Sequence, residues 1–167
     1  MGENDLKKLI LSGVFIGLSF IGSLIKLAGT VALDSLPAYL SAIVLGPFWG
    51  GLVGFIGHIF TSLTSGFPLT LPMHLFISII MFIILYIFAL VYKKSCYLAI
   101  LIGILLNGPI AASLTTYIFV NLVESTLTMI QFFSVIIIPL TLASAVNIIL
   151  ANIIGRIITK KYNIIFW

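Results

Sequence analysis

The strongest constraint on this chain is the near absence of charge along apolar runs that cover almost all of its 167 residues. Only 7% of the residues are charged, whereas a soluble domain carries about a quarter. Apolar runs of ~20 residues predict helices that cross the ~30 Å hydrocarbon layer. The sequence therefore predicts an all-α, polytopic protein of the cell membrane, with no room for a soluble catalytic or nucleotide-binding domain.

The apolar runs divide into six segments, which together form one predicted integral membrane domain over residues 1–167. The second and third segments would form one long helix if nothing interrupted them. However, Gly46–Pro47 is a turn signal, and proline disfavours the helical conformation in the residue before it. We therefore predict six helices, of which the second is short: 7–27, 35–46, 48–63, 71–92, 97–120 and 129–157.

The basic residues favour six spans with both termini in the cytoplasm. With that topology almost every cation faces the cytoplasm, as the positive-inside bias predicts. Five spans would instead put Lys93 and Lys94 outside and the two basic termini on opposite sides. Lys26 is the exception, and it either pairs with Asp34 to close the first outer loop or reaches toward a substrate. The cytoplasmic cations would be Lys7, Lys8, Lys93, Lys94, Arg156, Lys160 and Lys161.

The stretch TSLTSGFPLTLPMHL, residues 61–75, breaks the apolar pattern with five hydroxyls, a glycine, two prolines and a histidine. In the six-span topology it faces outside, as do residues 28–36 and 121–128. Polar groups within a membrane protein usually face the bundle interior or a water-filled cavity. The break therefore predicts the rim of an outward-facing ligand pocket.

The candidate ligand-binding residues lie at or near this break. Asp34 is the preferred polar anchor, because a carboxylate accepts hydrogen bonds from hydroxyl groups. Each candidate has a structural alternative: a histidine that bonds a neighbouring carbonyl, an asparagine that links helices, an aromatic residue of the interfacial belt, or a hydrated loop. Aromatic surfaces for a flat ligand would come from Tyr39, Trp49, Phe67 and Tyr117, if these face inward. The complete candidate set is Asp34, Tyr39, His58, Thr64, Ser65, Phe67, His74 and Asn107.

A second feature lies on the first helix, where Gly13 and Gly17 are four residues apart. Small residues at this spacing let another helix approach closely. The partner is either a helix of the same chain or another membrane protein. Enzymatic motifs are missing: the sequence has no H-E-x-x-H, C-x-x-C, G-x-S-x-G or P-loop. We therefore predict no catalytic residues, cofactor or metal site, and we attribute the basic charge to topology rather than to nucleic-acid binding.

Residues 33–75 resemble the substrate-binding S components of energy-coupling-factor (ECF) vitamin transporters. The segment LGPFWGGLVGFIGH is similar to the hairpin between helices 2 and 3 of that family. The segment TSGFPLTLPMHL looks most like the branch that takes up α-ribazole, a dimethylbenzimidazole riboside used in cobalamin salvage. The general resemblance covers nearly the whole chain.

The resemblance implies a vitamin-binding subunit of the bacterial cell membrane that takes its ligand from outside. It also implies a transmembrane coupling subunit and two cytoplasmic ATPases as partners. The family usually has alanine-xxx-alanine on helix 1, and Gly13 and Gly17 occupy that spacing here. Residues 28–36 would gate the pocket. Alternatives are an S component for another vitamin such as pantothenate, an intramembrane enzyme that uses His58 and His74, or a structural membrane subunit.

Overall fold

The computed structural model describes residues 2–28, 31–123, 127–162 and 165–167, and these are almost entirely helical. Two short strands, β1 (Lys26–Ala28) and β2 (Val31–Ala32), pair antiparallel between the first two helices. A π-helical turn, Leu106–Ile110, joins the fifth helix to the sixth. The helices are α1 (Glu3–Ser23), α2 (Ser35–Leu45), α3 (Pro47–Thr64), α4 (Leu71–Tyr92), α5 (Cys96–Leu105), α6 (Ala111–Leu122) and α7 (Met129–Tyr162).

Four helical stretches in the described part of the chain are long and apolar enough to cross a membrane. They are Glu3–Ser23, Leu71–Tyr92, Cys96–Leu122 and Met129–Lys161. Large apolar side chains are exposed along the outside of these helices, as expected for surfaces that face lipid. The prediction of a helical, membrane-spanning protein is confirmed, while the count of six spans stays a prediction.

Three of the helices differ most from those expected. α1 ends at Ser23 rather than at residue 27, because the chain then enters the β1–β2 hairpin. α7 continues to Tyr162, five residues beyond the apolar pattern, with Lys160 and Lys161 in its last turn, where cations favour the helix terminus. The predicted fifth helix is interrupted by the π-helical turn around Pro109, since proline has no N–H to donate. The Gly29–Thr30 tip of the predicted gating segment, the side chain of Lys26 and residue Glu124 lie outside the described residues.

The short α2 lies at the centre of the bundle and packs against α1, α3, α4 and α7. All of its residues except Leu36 are buried. Its close neighbour is α3, where a Cβ atom added at Gly50 would lie 2.5 Å from Ala42 Cα. Tyr39 packs its ring edge-on against Phe88 of α4, with 4.8 Å between ring centroids. A helix too short to cross the hydrocarbon upright is thus enclosed by protein.

The break between α2 and α3 is closed by residues 165–167, which we call the closing segment. Gly46 has φ +97°, a conformation that favours glycine, and Pro47 follows with no N–H for the Ile43 carbonyl. The indole Nε1–H of Trp167 donates to the Ile43 carbonyl at 3.1 Å instead. The N–H of Phe166 donates to the Val44 carbonyl, also at 3.1 Å. The closing segment therefore supplies donors where the helix break removes them.

The closing segment also reaches the turn between α4 and α5. Lys93 Nζ lies 5.1 Å from the centre of the Trp167 ring, within the range of a cation–π contact. The Trp167 ring covers Gly46 so closely that a Cβ there would meet its Cγ at 2.6 Å. One half-buried indole thus joins the α2–α3 and α4–α5 turns at the same end of the bundle.

Candidate ligand-binding site

A cavity lies inside the bundle, at the end opposite the closing segment. The space in it that is open to the centres of water-sized spheres is about 120 Å³. One water molecule needs roughly 10–15 Å³ by the same measure, so the cavity has room for a small organic molecule rather than a few waters. Of the predicted site residues, Asp34, His58, His74 and Asn107 line it. The other lining residues are Ala32, Ser35, Leu69, Ile77, Ile80, Met81, Ala111, Thr115, Ile136, Leu140, Ala143, Ser144 and Asn147.

Asp34 lies in the connection immediately before α2 and is 9% exposed. Its Oδ2 accepts a hydrogen bond from Thr61 Oγ1 at 2.6 Å, and its backbone carbonyl accepts one from Ser19 Oγ at 2.6 Å. Burial raises the pKa of Asp34 to about 6, although the Thr61 hydroxyl and the backbone N–H groups of Asp34 and Ser35 act to lower it. Thr61 of α3 thus holds the carboxyl group, and Ser19 of α1 holds the backbone carbonyl of the same residue.

The rings of His58 and His74 are hydrogen-bonded to each other rather than to neighbouring backbone carbonyls. His58 Nε2 lies 3.3 Å from His74 Nδ1, and the N–H of Leu69 lies 3.4 Å from His74 Nε2. A backbone N–H can only donate, so a neutral His74 accepts at Nε2 and carries its proton on Nδ1. His74 then donates to His58 Nε2, which leaves the proton of a neutral His58 on Nδ1. The pair is therefore ordered so that His58 is a donor at Nδ1.

Asn107 links the π-helical turn to α7. Its Nδ2 donates to Ser144 Oγ at 2.9 Å, and the Ser144 hydroxyl lies 2.7 Å from the Leu140 carbonyl and 3.1 Å from the Asn107 carbonyl. A link between helices was one of the two alternatives for this asparagine. Asn107 makes that link, and it also lines the cavity. Helix distortions of the π type occur frequently at functional sites, because they turn a polar side chain out of its regular register.

Asn147 of α7 was not among the predicted site residues. Its Nδ2 donates to the Ala32 carbonyl of β2 at 3.1 Å. Its Oδ1 is buried and has no hydrogen-bond partner within the described residues. A signal for this position exists in the sequence, because residues 136, 140, 143, 144 and 147 recur at helical spacing on one face. That face was not separable from the others, since α7 is apolar almost all round.

The remaining predicted residues lie near the cavity but do not line it. Tyr39 belongs to the central core, and its hydroxyl is buried with no partner in the described part of the chain. Thr64 Oγ1 donates to the Thr61 carbonyl at 3.0 Å, and Ser65 ends α3. Phe67 packs against the His74 ring with 5.9 Å between ring centroids. These four residues surround the site rather than form its described wall.

The expected aromatic slot is not found among the described lining residues. Tyr117 is 62% exposed on the outside of the bundle. Trp49 packs against the core cluster near the α2–α3 break. The walls of the cavity are aliphatic instead, formed largely by Ile77, Met81 and Leu140. The prediction of inward-facing aromatic rings was conditional on helix rotation, which the sequence does not show.

The two faces of α1 differ in what they contact. Ser19 and Ser23 are buried within the bundle, and a Cβ at Gly22 would lie 2.6 Å from the Leu33 carbonyl oxygen. A Cβ added at Gly13 or Gly17 would meet nothing within 4 Å among the described residues. Of the two alternatives for these glycines, close packing inside the chain is therefore not what the structure shows.

Comparisons with known proteins agree with this architecture. A family model described as the ECF transporter substrate-specific component matches residues 7–159, which is most of the chain. No significant match was found among curated proteins or among solved structures. Members of this family are transport-binding subunits rather than enzymes; they bind a small molecule and assemble with the ECF module. The chain belongs to the family of ECF transporter substrate-specific components and is a multi-pass protein of the cell membrane.

Proposed function

We propose that this protein is the α-ribazole-binding subunit of an ECF transporter, with six membrane spans and both termini in the cytoplasm. The observation that carries the choice of ligand is the lining of the cavity. It combines one carboxylate, a histidine pair and two amides with an aliphatic wall, and none of its described residues is a lysine or an arginine. This chemistry favours a neutral ligand that has hydroxyl groups at one end and a flat apolar body at the other.

α-Ribazole meets these requirements. Its ribose hydroxyls would donate to Asp34, and the free nitrogen of its benzimidazole would accept from His58 Nδ1–H. Its ring would lie against Ile77, Met81 and Leu140 rather than against an aromatic side chain. Pantothenate is the runner-up, and its carboxylate would add a second negative charge beside Asp34, which is unfavourable in a buried site.

The proposed topology is supported by the charges at the two ends of α4. His74 lies in its first turn and Lys93 just beyond its last, so that the two are roughly 28 Å apart at 1.5 Å per residue. The cavity lies at the His74 end, whereas Lys93 and Arg156 lie at the other end. If the basic end faces the cytoplasm, as the positive-inside bias requires, the cavity opens to the outside.

The ligand assignment is tested by thermal unfolding of the purified protein in the presence of α-ribazole, pantothenate, biotin, niacin, riboflavin or thiamine. A ligand at a hundred times its Kd adds about 2.7 kcal/mol to the free energy of unfolding. We expect this for α-ribazole, which should be recovered chemically unchanged. We also expect Asp34→Ala to remain folded and to bind more weakly. Stabilisation by pantothenate but not by α-ribazole would refute the assignment.

The outward face of α1 is proposed as the docking surface for the transmembrane coupling subunit, which works with two cytoplasmic ATPases. Gly13→Leu adds a large side chain to this face, where an added Cβ meets nothing within 4 Å among the described residues. We expect normal ligand affinity and loss of co-purification with the coupling subunit. The matched control is Val14→Leu, because Val14 is exposed on the same helix and has no close-approach role. Normal assembly of Gly13→Leu would rule out docking at this position.

A further inference from the structure

Within the described part of the chain, the side-chain amide of Asn147 is hydrogen-bonded at its nitrogen and has no partner at its oxygen. Its Nδ2 lies 3.1 Å from the Ala32 carbonyl oxygen, an atom that can only accept. The amide therefore cannot rotate by half a turn without placing its own oxygen against that carbonyl. The orientation of the group is thus determined by the β1–β2 hairpin, and Oδ1 is the end left over.

The unsatisfied Oδ1 belongs to a residue that is 1% exposed and lines the cavity. Buried acceptors are nearly always hydrogen-bonded, and an exception calls for an explanation. Three other buried hydroxyls without partners in the described residues, those of Tyr39, Thr116 and Thr141, belong to residues that do not line the cavity. Asn147 is therefore distinguished by having an unpaired acceptor at the surface that a ligand would contact.

We propose that Asn147 is a ligand anchor, whose Oδ1 accepts an O–H or N–H of the bound molecule while its Nδ2 holds the hairpin. This inference rests on the proposed function and extends it to a specificity-determining residue. The same amide contacts the cargo at one end and the backbone of β2 at the other. A ligand that supplies the donor should thus be preferred over an analogue that lacks it.

In the α-ribazole complex, the donor for Oδ1 is a ribose hydroxyl. Asp34, two residues after β2, is also an acceptor. Asp34 and Asn147 would therefore both accept hydrogen bonds from the hydroxyl groups of one sugar. The benzimidazole without its sugar offers no such hydroxyl. The free base 5,6-dimethylbenzimidazole is therefore the probe that separates contact with Asn147 from general fit in the cavity.

The test compares binding of α-ribazole and of the free base by isothermal titration calorimetry. Asn147→Leu has nearly the same size but neither polar atom. We expect its affinity for α-ribazole to fall at least tenfold while its affinity for the free base changes less than threefold. The matched control is Asn152→Leu on the same helix, because Asn152 bonds Tyr92 outside the cavity. That control should bind both probes as the wild type does.

The outcomes distinguish this inference from the proposed function. If the wild type does not bind α-ribazole, the ligand assignment fails, and the same variants are then compared with the vitamin that does stabilise the protein. If the wild type binds α-ribazole and Asn147→Leu binds it equally well, the anchor is refuted. A loss that is equal for both probes also refutes it, since that pattern indicates a disturbed cavity rather than a lost contact. Asn147→Leu that fails to fold is replaced by Asn147→Ser, which retains one acceptor and should lose less affinity.

Discussion

The two ends of this bundle use helix breaks in opposite ways. At the closed end, Gly46–Pro47 removes donors from α2, and the closing segment returns them through Trp167 and Phe166. At the cavity end, the chain between α3 and α4 passes through two non-glycine residues with positive φ, Phe67 at 50° and Thr70 at 79°. There polar side chains line the cavity, and Asn147 Oδ1 of α7 has no hydrogen-bond partner among the described residues. The comparison indicates that one end of the bundle is closed by polar groups that are satisfied internally, whereas the candidate site lies at the end where a buried acceptor lacks a partner.

Packing at the closed end should tolerate substitution least. In Gly50→Leu the new side chain would begin 2.5 Å from the Ala42 backbone, which cannot yield as a flexible side chain can. Overpacking typically costs ~1–3 kcal/mol, and more where the backbone must move. We expect Gly50→Leu to lower the melting temperature by many degrees or to prevent folding. Gly17→Leu, which adds the same side chain in open space, should melt close to the wild type; equal melting of the two variants would contradict the packing described here.

Loss of the closing segment should have an intermediate effect confined to stability. Trp167→Ala removes a half-buried ring and a hydrogen bond, which together contribute roughly 2–4 kcal/mol. Trp167→Phe keeps most of the ring contact and should lose only about 1 kcal/mol, the hydrogen bond to Ile43. Both are measured by chemical unfolding in detergent. Affinity for α-ribazole should stay unchanged in both, and a drop in affinity larger than the drop in stability would mean that the two ends are not separate.

The cavity end should be distinguished by its dependence on pH. Because the pKa of Asp34 is raised to about 6, only about a tenth of the carboxyl groups are ionised at pH 5 and nearly all at pH 7.5. If the ionised form accepts the ligand's hydroxyls, affinity rises about tenfold across this range. The empty protein changes in the other sense, since a raised carboxyl pKa means that folding stability falls as pH increases from ~4 to ~6.

The control for this pH dependence is Asp34→Asn, which retains an acceptor for Thr61 but cannot ionise. The substitution changes no other ionisable group, so the difference between the two profiles belongs to Asp34. We expect weaker binding by the variant at pH 7.5 and a flatter profile, followed by isothermal titration calorimetry at each pH. Parallel profiles for the two proteins would show that Asp34 does not contribute its charge to binding.

The accuracy of the sequence analysis followed the strength of the local signals. The break at Gly46–Pro47 could be predicted because glycine adopts backbone conformations closed to other residues, while proline has a fixed φ and no N–H. The β1–β2 hairpin could not be predicted, because strands of three and two residues are too short to show an alternating pattern. In the site, Asp34 and the two histidines were found because such residues are rare in an apolar chain. Whether Asn147 and the aliphatic residues face the cavity depends on how α7 and α4 are rotated about their axes. The sequence of an evenly apolar helix does not show that rotation.

The enclosure of α2 has a mechanical consequence. Asp34 precedes its first residue, and Ile43 and Val44, which receive the closing segment, end it. The eleven residues of α2 form a rod of about 16 Å, and all but Leu36 are buried. Because α2 has so little contact with lipid, bilayer thickness should affect it little. A displacement of the closing segment at one end of α2 would instead be transmitted to the Asp34 carboxylate at the other end. The candidate ligand anchor Asp34 and the closing segment are in this sense joined by one short helix.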